Sequence, residues 1–308
     1  MKRIAVLGLG LIGGSLALAI RQAHLSEQIV GYDAYPDAAC RAKERGAITH
    51  SCVTAEEAVQ GADVVILATP ILTIPALLKR IAPALKPGAL VTDTASTKAR
   101  VVEWARASLP AHAVFVGGHP MAGRETSGID AAEMGLFEGC TYCLTPTVDT
   151  PSDAVARLSE LVTRLAAHPL ILDAQEHDRL VAGISHLPFV VSAALVRMLG
   201  QHEDWTQMAI LAAGGFRDTS RLAAGSPTMY RDICSTNKEA IIGWIDTLTM
   251  QLADLRSLIA TSDDTVEHFF AEAKDIRDGR FQGTPMWANE SAHMGVRRPV
   301  VMESLLDF

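Results

Sequence analysis

Apolar positions along the chain change their spacing near residue 173. Before it, short apolar runs recur at Arg3 to Leu7, Ile29 to Tyr32, Asp63 to Ala68, Ala89 to Thr92, Ala113 to Val116, Tyr142 to Thr145 and Leu170 to Leu172. Each has the length and make-up of a buried strand. Stretches with helical spacing lie between several of them, at Leu16 to Gln22, Ile71 to Leu85, Lys98 to Ser108 and Ser152 to Leu165. The alternation predicts an α/β fold with a doubly wound, mostly parallel sheet. After Asp173 the strand signal stops, and helices are predicted at Gln175 to Leu199, Trp205 to Ala213, Pro227 to Asp232, Asn237 to Ala260 and Asp264 to Ala273. The pattern divides the chain into an α/β domain over 1–173, an all-helical domain over 174–280 and a C-terminal tail over 281–308, which mixes Gly, Pro, Asn, Arg and Met without a clear period. The stretch Asn237 to Ala260 carries Ile241, Ile242, Trp244, Ile245, Leu248, Met250, Leu252 and Leu255, more apolar surface than one small layer covers. A homodimer through the helical domain is the expected remedy, with burial inside its own subunit as the alternative.

The first run leads into Gly8-Leu9-Gly10-Leu11-Ile12-Gly13-Gly14-Ser15 and a helix, and the second run ends in Asp33. Strand, glycines, helix, strand and terminal acid together make the dinucleotide fingerprint of a Rossmann-like domain. Gly8 supplies the tight turn, Gly10 the close approach of the pyrophosphate, Gly13 the helix–sheet packing, and the helix N-terminus opening at Leu11 and Ile12 receives the phosphates. Asp33 is expected to accept from the ribose hydroxyls and repel a 2′-phosphate. No arginine follows in Ala34-Tyr35-Pro36, so the expected cofactor is NAD rather than NADP.

Charge and cysteine usage narrow the partners. A formal charge of −8 gives no basic footprint for nucleic acid or an anionic membrane. No apolar run is expected to reach the roughly 18 residues of a membrane span, and the N-terminus enters a strand directly instead of a cleavable signal, so a cytoplasmic protein is expected. Five cysteines, an odd number, suggest reduced thiols. Cys140 and Cys143 form a CxxC on a strand-like run without a second pair, so no metal is expected.

Candidate chemistry collects where strands end. Ala68-Thr69-Pro70 follows one strand and Asp93-Thr94-Ala95-Ser96-Thr97-Lys98 another. In Val116 to Glu125, VGGHPMAGRE, His119 stands between glycines and a proline, where it reads as presented on a loop rather than packed. Imidazole titrates near neutrality, so a loop histidine beside a cofactor is a natural proton acceptor. Ser185-His186-Leu187-Pro188 places a histidine and a helix-kinking proline inside an apolar helix, as a satisfied core group or a cleft group. Arg217 and Arg221 are four apart on one predicted helix face, suited either to pairing with acids or to anchoring a carboxylate.

Together GLGLIGGS, DTASTK at 93–98, GGHPMAG at 117–123 with Glu125 and Ser127-Gly128, SHLPF at 185–189, GGFRDTSR at 214–221 and YRDICSTNK at 230–238 resemble the prephenate and arogenate dehydrogenases of tyrosine biosynthesis, in the right order over about residues 1–275. The resemblance implies a Rossmann-like domain, a helical dimerisation domain and an active site in the cleft between them. It implies His119 as the catalytic histidine and Ser96 as the hydroxyl that helps hold the substrate hydroxyl and nicotinamide. His186 would line the substrate cleft, Arg221 would bind a substrate carboxylate with Arg217 beside it, and Glu125 would be a gating or pH-sensing acid. Thr69 and Pro70 join the cofactor-binding set. The expected reaction is NAD-dependent oxidative decarboxylation of prephenate to 4-hydroxyphenylpyruvate, with arogenate or an amino-substituted prephenate analogue as alternative substrates. Two rivals are weaker. β-Hydroxyacid dehydrogenases use a lysine on the first long interdomain helix, and Gln175 to Leu199 has none. A silent NAD-binding dimer that senses tyrosine would not be expected to keep His119, Ser96 and Arg221 together.

Overall fold

The computed structural model describes residues 1–261 and 265–279, so the tail expected over 281–308 lies outside the described residues. Met1–Ile245 form one compact unit, and the chain from Asp246 belongs to a second. Eight strands make one sheet in the first unit: β1 (Arg3–Leu7), β2 (Gln28–Tyr32), β3 (His50–Ser51), β4 (Val64–Leu67), β5 (Leu90–Asp93), β6 (Val114–Pro120), β7 (Thr141–Thr145) and β8 (His168–Ile171), in the order β3-β2-β1-β4-β5-β6-β7-β8. All pairs are parallel except β6 with β7. The central strands are buried on both faces, which is why they read as unbroken apolar runs. On one face pack Leu11–Gln22, Pro36–Glu44 and Ser152–Arg164. On the other pack Ala55–Val59, Ile74–Ile81 and Ala99–Ser108, together with Phe189, Ile233 and Ile241 of the helical segment.

Three short elements carry too little periodic signal to read from sequence. Helix Pro36–Glu44 buries only Ala39 and Ala42, helix Ala55–Val59 is held by the Thr54 side chain accepting from the Glu57 N–H, and β3 is a two-residue exposed edge.

β6 differs from its expectation in a way that matters for the site. Instead of stopping at Val116, the strand runs on through His119 to Pro120. Its first half pairs with β5, and its second half, beyond the end of β5, pairs antiparallel with β7, setting His119 opposite Cys143. His119 is therefore packed on a strand, not presented on a loop, and only 8% exposed. The two glycines before it serve close approach: a Cβ on Gly118 would sit 2.6 Å from the Asp93 carbonyl oxygen, and one on Gly117 would meet Thr145 and the Lys98 stem.

The helix expected after Asp173 is one continuous rod with a defect. Asp173 caps it by accepting from the Gln175 and Glu176 N–H groups, α-helix runs over Ala174–Val181, a π turn spans Ala182–His186, and α-helix resumes at Leu187–Gly200. Pro188 has no N–H to donate, and its ring crowds the carbonyl four residues back, so the backbone widens there into a π turn. An 18-residue window of this rod reaches a mean hydropathy of 1.6 with 28% of it buried, so by length and composition Ala174–Gly200 could cross a membrane, contrary to expectation. Its buried residues nevertheless include the polar groups His177, Asp178, His186 and Ser192, which pack inside the first unit. Further on, the helix carrying Arg217 ends at Ser220, and Arg221 opens a 3-10 turn, so the two arginines do not share one helix.

Gly13 tests the packing of the first turn, because a Cβ there would overlap the Gly8 carbonyl oxygen and crowd Ala68. Gly13→Ala is expected to cost about 1–3 kcal/mol as overpacking and to abolish dinucleotide binding. Thermal melting and a fluorescence titration with NADH check the two effects.

Candidate active site

The cofactor end is built from backbone. Gly8 has φ +93° and lies against Ala68, where any side chain would clash. Gly10 faces open space, with nothing within 4 Å of where a Cβ would be, so a diphosphate can come close. No side chain caps helix Leu11–Gln22, and Gly14 makes its first N–H···O bond back to Gly10, which leaves the N–H groups of Leu11, Ile12 and Gly13 for an anion. Asp33 is fixed rather than swinging: Oδ2 accepts from the Leu9 N–H at 2.7 Å and Oδ1 from the Tyr35 N–H at 2.8 Å. Thr69 and Pro70 follow β4, where the Thr73 hydroxyl donates to the Pro70 carbonyl at 2.7 Å. The buried Asp232 carboxylate accepts from the Leu72 N–H at 3.3 Å in the next turn. These groups fit the diphosphate and ribose of NAD.

At the chemical end a hydrogen-bonded chain runs inward. His119 Nδ1 lies 2.9 Å from His177 Nε2, and His177 Nδ1 lies 2.8 Å from Asp178 Oδ1. The Asp178 carboxylate also accepts from the Lys98 N–H at 2.7 Å and the Ala99 N–H at 2.9 Å. An acceptor so supplied is ionised, so His177 must carry its proton on Nδ1 and offer a lone pair at Nε2. His119 must then donate from Nδ1, which leaves His119 Nε2 as the free basic nitrogen. Burial, with the neighbouring His177, Lys98 and His186, holds the His119 pKa well below the usual imidazole range, so the ring is neutral.

Beneath this chain the Lys98 ammonium is wholly buried. It pairs with the equally buried Asp93 carboxylate and donates to the Gly118 carbonyl at 2.6 Å. Burial lowers the Lys98 pKa and Asp93 opposes the fall. Asp93 Oδ1 accepts from the Gly118 N–H at 3.1 Å, so the pair clamps the peptide next to His119 from both sides.

The other expected residues fall into two groups. Ser96 is half-buried at the mouth of the 93–98 loop, and its backbone acts on the His186 ring. His186 is buried. Burial pushes its pKa down to about 4, with Asp178 and the Ser96 backbone opposing and His177 adding to the fall. Arg221 and Glu125 form an ion pair with each other, and Asp218 faces Arg217 at 3.6 Å. Arg217 is 82% exposed and touches none of the buried groups above. Cys143 lies in β7 and Cys140 just before it, and burial pushes both thiols up to about 11.

The sequence reading gave no individual role to His177, Asp178 and Asn237, and noted Lys98 only as the end of the 93–98 loop. The first two had a signal, an adjacent His-Asp pair on the face of an apolar helix that also carries Val181, His186 and Phe189. Lys98 and Asn237 are polar residues at element ends, and nothing local marks them as buried.

Residues 16–171 match the family model described as prephenate dehydrogenase, nucleotide-binding domain, and residues 173–274 the one described as prephenate dehydrogenase, dimerization domain. The chain is 39% identical over 279 residues to a prephenate dehydrogenase of Bacillus subtilis, covering 90% of this chain and 75% of that one. It is 33% identical over 272 residues to a cyclohexadienyl dehydrogenase of Zymomonas mobilis, covering 87% of this chain and 92% of that one. Among solved structures, it superposes on the prephenate dehydrogenase of A. aeolicus in complex with hydroxyphenyl propionate and NAD+ with a TM-score of 0.84 at 30% identity, over 90% of this chain and 97% of that one. An arogenate dehydrogenase of Synechocystis gives a TM-score of 0.77 at 33% identity, over 91% of this chain and 100% of that one.

The buried imidazoles carry a pH signature. In the unfolded chain His186 titrates at 6.5, and in the fold at about 4. Below pH 6.5 the unfolded state therefore takes up a proton that the folded state refuses, and stability falls with pH until about 4. The loss is about 1.4 kcal/mol per pH unit for one such group, and His119 adds to it with the same sign. Urea unfolding at pH 7, 6 and 5 is expected to show this slope, and His186→Gln is expected to flatten it.

Proposed function

The chain belongs to the prephenate dehydrogenase family, and we propose that it oxidises and decarboxylates prephenate to 4-hydroxyphenylpyruvate with NAD. The observation that carries this reading is the direction of the Asp178–His177–His119 chain, which leaves a neutral imidazole with its lone pair on Nε2 at the same sheet end as the glycine-rich dinucleotide cradle. NAD, when bound, supplies the hydride acceptor for the ring carbon that bears the hydroxyl.

His119 Nε2 takes the hydroxyl proton as that carbon loses its hydride, and the C–O bond becomes a carbonyl. The bond from the ring to its carboxylate then breaks. Carbon dioxide leaves, and its bonding pair enters the ring to give a phenolate, which takes the proton back from His119 Nε2 and becomes the phenol. Aromatisation makes the sequence irreversible, so the protein's task is orientation and charge management rather than covalent catalysis. The proton gained by His119 is shared along the chain toward Asp178. That carboxylate is the unspent negative charge of the buried cluster, since Lys98 and Asp93 neutralise each other.

In this reading Ser96 holds the substrate hydroxyl and His186 lines the same corner. Arg221 binds a substrate carboxylate, which displaces Glu125 from the partly exposed pair seen here, and Arg217 is a second cation at the rim. Gly8, Gly10, Leu11, Ile12 and Gly13 hold the diphosphate, Asp33 the adenosine ribose, and Thr69 and Pro70 the nicotinamide side. The similarity to a cyclohexadienyl and an arogenate dehydrogenase supports arogenate as an alternative substrate of the same cleft. Initial rates of NADH formation with prephenate and arogenate, each repeated with NADP, test substrate and cofactor together.

The same reading gives a cytoplasmic homodimer formed through the helical region. Its support is the dimerization-domain match and the exposed apolar side chains Ile184, Met198, Ile210 and Leu211, each 62–81% exposed in one subunit.

His119→Asn is expected to keep NAD binding and lower kcat by about 10²- to 10⁴-fold, the range for losing a general base; near-normal turnover would remove His119 from the mechanism. Arg221→Ala separates anchoring from scaffolding. A desolvated guanidinium–carboxylate contact is worth about 2–4 kcal/mol in kcat/KM, expressed as a raised KM for prephenate with the melting temperature unchanged. A lower melting temperature with unchanged KM would make Arg221 a structural partner of Glu125 only.

A further inference from the structure

The segment Tyr230 to Lys238 contains polar residues that the chemistry above does not use. Asn237, just after helix Pro227–Thr236, is buried, and its amide nitrogen sits 2.7 Å from the Asp178 carbonyl oxygen and 3.2 Å from His186 Nδ1. A carbonyl oxygen only accepts, so the atom facing it must be the NH2 group. Turning the amide over would set Oδ1 against another oxygen. The second hydrogen of that NH2 group then goes to His186 Nδ1, which must hold a lone pair. His186 is neutral, so its one proton is on Nε2.

His186 Nε2 is buried and has no hydrogen-bond partner among the described residues. A buried donor left without an acceptor costs about 1–3 kcal/mol, and such groups in folded proteins call for an explanation. A backbone group of the half-buried Ser96 acts on the ring and favours its protonated form, but makes no hydrogen bond of ordinary geometry with Nε2. A ligand oxygen held at Ser96 would supply the missing acceptor.

We propose that Asn237 is a positioning residue that locks His186 as an Nε2–H donor, and that this donor serves an oxygen of the bound substrate beside Ser96. The proposal rests on the placement of the substrate at Ser96 given above, but its first half does not depend on it. The two active-site histidines then have opposite polarity. His119 is set by Asp178 through His177 to accept at Nε2, and His186 is set by Asn237 to donate at Nε2. Both settings originate at Asp178, whose carboxylate orders one ring and whose carbonyl orients the amide that orders the other.

The test is the tautomer itself. In enzyme labelled with 15N-histidine, two-bond 15N–1H correlations at pH 7.5 distinguish a ring protonated on Nε2 from one protonated on Nδ1, and His186→Gln assigns the signal. The expected result is an Nε2–H tautomer for His186, with its Nε2–H proton moving downfield when hydroxyphenyl propionate is added as a substrate analogue and not when NAD alone is added. An Nδ1–H tautomer in the wild type would overturn the role of Asn237. A shift with NAD alone, or none with the analogue, would overturn the substrate as acceptor while leaving the Asn237 lock in place. Asn237→Asp places an acceptor against Nδ1, so His186 is expected to switch to Nδ1–H and kcat/KM for prephenate to fall about 10- to 100-fold, the loss of one buried hydrogen bond. A variant that melts lower yet keeps the wild-type tautomer and kcat/KM would show Asn237 to be structural only.

Discussion

The Asp178 carboxylate receives two backbone N–H groups and one imidazole N–H, and this crowding of donors orders everything above it. Three donors keep the group ionised, and an ionised carboxylate can only accept, so the hydrogen-bond direction along His177 and His119 has one solution. The two backbone donors come from Lys98 and Ala99, at the start of the helix that follows the Ser96 loop. The same contact therefore ties the loop after β5 to the helix capped by Asp173. Position and protonation state are consequences of one interaction. A neutral side chain in its place could hold the loop, but would leave the direction of the histidine chain undetermined.

The charges around it divide into a spent pair and an unspent one. Lys98 and Asp93 face each other without solvent access and cancel, and what remains is the local geometry they impose on the Gly118 peptide. A buried ion pair is weak support for stability, because desolvation offsets the attraction. Its use here is to fix the end of β6 at the point where the strand has left β5. Glycine at 117 and 118 is the condition for this, since a side chain at either position would fill the space that the Lys98 stem, Thr145 and Asp93 occupy. In the proposed reaction Asp178 keeps its charge for the proton that His119 takes up. The buried cluster therefore moves from a net negative charge to neutrality as the reaction proceeds, the direction that favours proton uptake by a ring whose own burial opposes it.

Much of this was legible in the sequence where a pattern of several residues had to be satisfied at once. The glycine loop, the strand leading into it and Asp33 constrain one another, and the structure places each as that pattern requires. Single residues fared worse. The motif around His119 suggests a loop setting that the residue does not have, because glycine and proline read as strand breakers, whereas here Gly117 and Gly118 permit close packing inside a strand and Pro120 ends it. His177 and Asp178 look like the polar first turns of a helix. Only the tertiary placement of that helix on the 93–98 loop turns them inward. The π turn at Ala182–His186 was half legible, since Pro188 announces a break in the helix but not that the break turns His186 into the interior. Lys98 and Asn237 gave no local sign, because a buried lysine and a buried asparagine are defined by partners 5 to 59 residues away.

The site is stiff in one part and soft in another, and the division follows burial. The end of helix Pro227–Thr236 reaches three separate pieces of the site: Asp232 takes the Leu72 N–H after the Thr69–Pro70 corner, Thr236 meets Thr97 hydroxyl to hydroxyl at 2.8 Å, and Asn237 meets Asp178 and His186. Groups so interlocked cannot be moved singly, since shifting one leaves a buried polar partner unsatisfied. The Arg221–Glu125 pair sits in solvent by comparison, its side chains 61% and 33% exposed, and an ion pair in that setting holds by about 0–1 kcal/mol. A competing carboxylate can therefore exchange for Glu125 at little cost, while the proton acceptor, its tautomer and the cofactor cradle stay where the fold has set them. Binding is left to the part of the site that can yield and chemistry to the part that cannot, and the boundary between them is the edge of the buried hydrogen-bond network anchored at Asp178.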